Sequence, residues 1–202
     1  MAHEGLWEQL DGLDVAETAR RADCQYLDDP QRYVLTLLST EYVVNPSDRS
    51  IFAVGADSTD QPADFLQQLC LLTYLIHAKD LPLAGKLVGE NALPGGQFFF
   101  RGVHGLPTRS LEEAFGECPK ALLDASAQLG AKGCEFGDAS IRLDMLPRVP
   151  LTIVVWGRCE EFEARASILF DKSTSEQLPL DALLAGVNLA VKALTGTVDE
   201  DS

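Results

Sequence analysis

At 202 residues, 46% hydrophobic and 23% charged, the chain can build one sizeable core and is short for two full domains, and it is too apolar for wholesale disorder. A net charge of −15 and an isoelectric point near 4.4 make a surface that repels nucleic-acid phosphates and anionic membrane faces, so neither is expected as a partner. Such a field serves plain solubility or steers the chain toward a basic protein partner.

The N-terminus, Met1-Ala2-His3-Glu4-Gly5, lacks the basic and apolar regions of a secretion signal. The most apolar stretch, 69–76, falls well short of the roughly 20 residues that a bilayer span takes. A cytoplasmic protein with one domain over 1–202 is expected, with 1–12 and 197–202 loosely held. Cys24, Cys70, Cys118, Cys134 and Cys159 form an odd set with no C-x-x-C pair. They read as reduced thiols, without a local zinc knuckle or iron–sulfur motif. Only the fold can show whether distant cysteines gather.

In chain order, Asp14-Val-Ala-Glu17 has capping-box spacing and opens a helix that ends before Pro30. Residues 32–44 are rich in β-formers, divided at Ser39-Thr40, and predict a hairpin followed by a short strand over 50–54. Residues 55–61 read as a polar turn. Pro62 suits a first helical turn, and 62–78 predict a buried helix with an inner stripe of Phe65, Leu66, Leu69, Leu72 and Ile76. His77 near its end complements the helix dipole. Residues 81–108 read as loop with short extended pieces. A capping box at Ser110–Glu113 predicts a helix through Glu117, and a second is expected over 119–129 with Gly130 as its cap.

Three strands are expected next, over 140–145, 151–156 and 162–170. The middle one is nearly continuously apolar, and in the last Phe162, Ala164, Ala166, Ile168 and Phe170 share a face. Residues 179–194 predict an amphipathic helix on the sheet, with Gly196 as its cap and Gly186 at a close contact. The tail Asp199-Glu-Asp-Ser202 reads as frayed. The fold class is therefore α+β, an antiparallel sheet from the N-terminal hairpin and the C-terminal meander, packed by the helices at 62–78 and 179–194.

One segment, 94–105, differs in composition from the rest. Gly95, Gly96, Gly102 and Gly105 permit close backbone approach. Phe98, Phe99 and Phe100 offer flat apolar walls, Arg101 suits a carboxylate or phosphate, and His104 is the imidazole in a loop setting. Gly95, Gly96, Phe99, Arg101, Gly102 and His104 are the candidate binding residues, with His104 also the candidate acid or base. Neither the phosphate-loop nor the dinucleotide pattern fits the segment. A second candidate is acidic: Glu161 and Glu163 would share one side of a strand and, with Asp138 and Asp144, could hold a hard cation. A solvated edge is the simpler explanation of these acids in a chain this acidic. Cys118 or Cys134 beside His104 would make a nucleophile pair if the fold joined them.

The ordered motifs Leu81-Pro-Leu-Ala-Gly-Lys-Leu-Val88, Leu93-Pro-Gly-Gly-Gln-Phe-Phe-Phe-Arg-Gly-Val-His104, Leu151-Thr-Ile-Val-Val-Trp156, Glu161-Phe-Glu-Ala164 and Ile168-Leu-Phe-Asp171 resemble an uncharacterised bacterial and archaeal family known only as a domain of unknown function. The resemblance runs from about Tyr33 to Leu194. It implies a setting in anaerobic redox or one-carbon metabolism, since members are frequent in anaerobes and some relatives are joined to iron–sulfur modules. It implies no activity and assigns no cofactor. Three readings follow: a module for a small anionic or planar ligand at 94–105, an enzyme using His104 with a metal on Glu161 and Glu163, and an accessory protein for a basic or redox partner.

Overall fold

The turns of the first third settle how its strands pair. Leu38 and Ser39 both take positive φ, 51° and 64°, which gives a two-residue turn whose twist matches the flanking strands. That turn joins β2 (Gln31–Leu37) to β3 (Thr40–Asn45). With β1 (Gln25–Asp28), β4 (Ser50–Ala53) and β5 (Gln61–Pro62) they form a five-stranded antiparallel sheet in chain order. The computed structural model describes residues 3–55 and 60–199, apart from the side chains of 197–199. Part of the turn expected at 55–61 and the tail beyond Asp199 lie outside the described residues.

Two helices precede this sheet. α1 (Glu4–Asp11) lies in the segment expected to be loose, and its Trp7 and Leu10 are buried at 0% and 2% exposure. α2 (Val15–Ala22) starts as read from the sequence, with the Asp14 carboxylate accepting from Glu17 N–H at 2.8 Å.

Pro62 does not open a helix. It sits in β5 opposite Phe52, an edge position where a missing N–H costs no ladder bond. α3 (Phe65–His77) begins later, under a reciprocal box in which Asp64 accepts from Gln67 N–H and the Gln67 amide oxygen accepts from Asp64 N–H, both at 2.8 Å. The expected inner stripe is also shifted. Phe65 and Leu66 are exposed, whereas every residue from Cys70 to Leu75 is buried, because α3 lies against α1, α2 and α8 (Leu180–Asp199).

The second half forms another five-stranded antiparallel sheet, ordered β6-β10-β9-β8-β7. Its strands are β6 (Leu87–Val88), β7 (Lys132–Gly133), β8 (Ala139–Leu146), β9 (Val149–Trp156) and β10 (Arg165–Asp171). The fold is thus α+β with antiparallel strands, the N-terminal hairpin and C-terminal meander belonging to separate sheets. They meet where Leu38 N–H donates to Met145 O at 3.0 Å. The three long strands register Ile141 opposite Ile153 and Ile153 opposite Ile168, so one apolar face receives the helices.

α5 (Thr108–Phe115) and α6 (Ala121–Ser126) cover that face with α8. The capping box at Ser110 is not formed, as α5 starts earlier and Arg109 pairs with Glu113 instead. α6 passes into a 3-10 turn that Gly130 ends at φ 64°, as expected. Gly186 is explained by its neighbour: a Cβ there would lie 2.3 Å from the Met145 sulfur. Gly196 is not a cap, since α8 continues through it. The remaining helices are single turns, α4 (Gly96–Phe99) and α7 (Thr174–Gln177). No helix among the described residues is long and apolar enough to cross a membrane.

Candidate functional site

The compositionally distinctive segment lies beside the C-terminal end of β10. Leu93 and Phe100 are buried and anchor it, with Phe100 stacking toward Phe170 at 6.5 Å between ring centres. Between these anchors, Gly96–Phe99 forms α4 rather than an extended piece. Gly95 supplies its left-handed entry at φ 77°, and a Cβ on Gly96 would fall 1.9 Å from Glu90 O. Arg101, Gly102, Val103, His104 and Gly105 are all exposed. The His104 ring stacks on Phe99 at 4.9 Å, and Arg101 lies over the Phe98 ring at 5.8 Å. Phe98 and Val103 are 72% and 95% exposed. The segment lays exposed aromatic and cationic groups against one another.

The acidic candidates do not converge. The strand expected from Phe162 starts only at Arg165, so Glu161 and Glu163 sit in the irregular connection between β9 and β10, and Phe162 is 69% exposed. Glu163 pairs with Arg158 at 2.9 Å. Asp138 accepts from Gly157 N–H at 2.8 Å, and Asp144 is exposed on β8. Among the described residues no group of three or more His, Cys, Asp or Glu side chains is arranged to hold a metal.

The cysteines divide by burial. Cys70 is buried at 0% exposure. Burial pushes both its thiol and that of the part-buried Cys24 up to about 12, which favours the protonated form. The part-buried Cys134 has its sulfur 3.8 Å from Lys132 O. Cys118 and Cys159 are exposed, and they line one cleft of about 380 Å³ together with Glu117, Lys120, Asp138 and Arg158. No spacing in the sequence links Cys118 to Cys159.

This cleft is built where three connections meet at one end of the second sheet: β7 to β8, β9 to β10, and α5 to α6. Backbone bonds tie them together. Arg158 N–H donates to Gly116 O at 2.9 Å, Asp138 N–H to Val155 O at 3.0 Å, and Cys159 N–H to Phe162 O at 3.0 Å. Glycine closes each junction. A Cβ on Gly116 would come within 2.4 Å of Ala164 Cβ, and one on Gly157 within 2.9 Å of Pro119. Gly137, at φ +58°, would place one 2.7 Å from Val154. A second hollow of about 430 Å³ adjoins, sharing Asp138, Gly157 and Cys159 and adding Trp156, Phe162, Glu163 and Arg165. Arg165 stacks over the Trp156 ring at 6.0 Å.

Glycine-limited backbone, aromatic planes and cations therefore occur here in a concave setting, with two accessible thiols added. Another cleft of about 430 Å³, between the β2–β3 turn and α8, is lined by Leu38, Tyr42, Gln67 and Lys192 among others. It holds no cysteine or histidine.

Asp171, the last residue of β10, has a demanding setting. It is 4% exposed and accepts from Ala84 N–H, Gly85 N–H, Ser173 N–H and the Ser173 hydroxyl at 2.6–2.9 Å. Burial opposes its ionisation, yet these four bonds outweigh burial and hold its carboxyl below the usual range. The carboxylate fastens the 79–86 connection to the end of β10.

A family model described as a domain of unknown function, DUF3786, matches residues 14–193. The chain belongs to that family. No curated protein and no solved structure matches it.

Proposed function

We propose that this member of the DUF3786 family is a binding module for a small planar or anionic ligand. Its site is the joined cleft around Cys159, Asp138 and Gly157 rather than the 94–105 segment. The observation that carries the reading is the meeting of two exposed thiols, Cys118 and Cys159, with Trp156, Phe162 and Arg165 on hollows that share a floor. Trp156 and Phe162 would flank a planar group, while Arg165 and Lys120 would meet its charge. His104, the acid–base candidate, lines none of the clefts described above and makes no ring hydrogen bond among the described residues.

Anilinonaphthalene sulfonate, a planar anion, tests the reading by quenching tryptophan fluorescence. Trp7 is fully buried and Trp156 is 39% exposed, so bound dye quenches Trp156. Phe162→Ala and Arg165→Ala each weaken binding at least about tenfold, near 1.4 kcal/mol, and Arg101→Ala leaves it unchanged. Dye binding that ignores both cleft substitutions, or that depends on Arg101, rejects the site.

A second reading, an accessory protein docking a partner, rests on Phe98 and Val103, which stand exposed beside Arg101. Apolar groups at that exposure next to a cation suit an interface. Association that Phe98→Ala and Val103→Ser abolish would support it, and association indifferent to both would reject it.

A further inference from the structure

The two thiols have a ligand chemistry of their own, which rests on the cleft being the binding site. Cys118 and Cys159 are unpaired and exposed, and both face the same hollow. The bond from Arg158 N–H to Gly116 O lies one residue from Cys159 and two from Cys118, so it sets the two cysteine-bearing segments side by side. Among the described residues no third Cys, His, Asp or Glu completes a metal-binding group with them. Tetrahedral zinc takes four ligands and the common iron–sulfur clusters take four cysteines, and the described residues group neither set around these two thiols. Two sulfurs suit a soft ion that is content with two ligands.

We propose that Cys118 and Cys159 form a dithiolate site for a thiophilic monovalent ion of the copper(I) class. Binding breaks two S–H bonds and forms two S–Cu bonds. Both protons pass to solvent, no electron is transferred, and a dithiolate complex of net charge −1 results. Lys120 lines the cleft without an ion pair among the described residues, which places a cation beside that charge. Arg158 lies on the same wall, already paired with Glu117 and Glu163.

The test is an anaerobic competition between the full-length, reduced protein and a chromophoric copper(I) chelator, bicinchoninate. The wild type withdraws one equivalent of copper(I) per chain. Cys118→Ser and Cys159→Ser each lower its affinity by at least about 100-fold, because each removes one of only two soft ligands, and Cys134→Ser changes nothing. Circular dichroism and thermal melting confirm that all three variants fold. Failure of the wild type to compete, retention of copper by either single variant, or loss of it in Cys134→Ser overturns the proposal. Dye binding at Trp156 on the same samples separates the two readings. Its survival with no copper uptake rejects the metal alone, and its loss with copper retained rejects the planar-ligand site alone.

Discussion

The two ends of β10 carry the same kinds of residue to different effect. Near its C-terminal end, the 94–105 segment holds glycines, phenylalanines, an arginine and a histidine in one continuous run. At its N-terminal end, roughly 20 Å away along seven residues of strand, similar groups arrive from three separate connections. At the first end His104 stacks on Phe99 and Arg101 lies over Phe98, all within one segment. The second is concave, because Gly116, Gly137 and Gly157 let the connections close on one another. Adjacency in sequence supplies ingredients. Convergence of connections at a sheet end supplies a site.

The largest expected effect falls on the closure of the concave end. Gly137→Ala adds a methyl against Val154 and Val155 O at a positive φ. It costs about 3 kcal/mol, the sum of left-handed strain and overpacking, read as a shift in the urea midpoint. A shift below about 0.5 kcal/mol would mean that the connections close by other contacts.

Next comes the clasp at the opposite end. Asp171→Asn puts an amide where Gly85 N–H needs an acceptor, and costs about 2 kcal/mol at neutral pH. Because the folded carboxyl lies below its ordinary value, the stabilisation is fully present above the unfolded pKa of about 3.9. It is lost as pH falls through the folded value. The gap between wild type and variant therefore stays constant near neutrality and narrows only in acid. A gap that widened in acid would contradict the assignment.

The smallest effect is expected at the exposed residues of the 94–105 segment. Arg101→Ala and His104→Ala each change stability by less than about 0.5 kcal/mol, as substitutions at exposed positions do. A larger loss from either would give the segment a structural role that its exposure does not show.

Local chemistry was the legible part of the fold. The Asp14 cap, the split hairpin, the three long strands and the close contact at Gly186 all follow from residue type and period. Errors arose where tertiary packing chose among local options. Ser110 has the right partner three residues on, yet the chain enters α5 two residues earlier. Phe65 fits the helical stripe, but the buried part of α3 runs from Cys70 to Leu75. Phe162 continues an alternation that the backbone abandons before Arg165. The thiol cleft was illegible for a further reason. Cys118 follows α5 and Cys159 follows β9, and it is the packing of α5 on the sheet and the bond from Arg158 N–H to Gly116 O that bring those connections together.

The direct measurement of that convergence is cross-linking by a short bifunctional thiol reagent, dibromobimane, on the native reduced protein, with the linked peptides read by mass spectrometry. One product is expected, joining Cys118 to Cys159, with Cys70 unlabelled until the protein is unfolded. Products that join Cys134 to either thiol in preference, or single adducts at Cys118 and Cys159 with no link between them, would contradict a shared site.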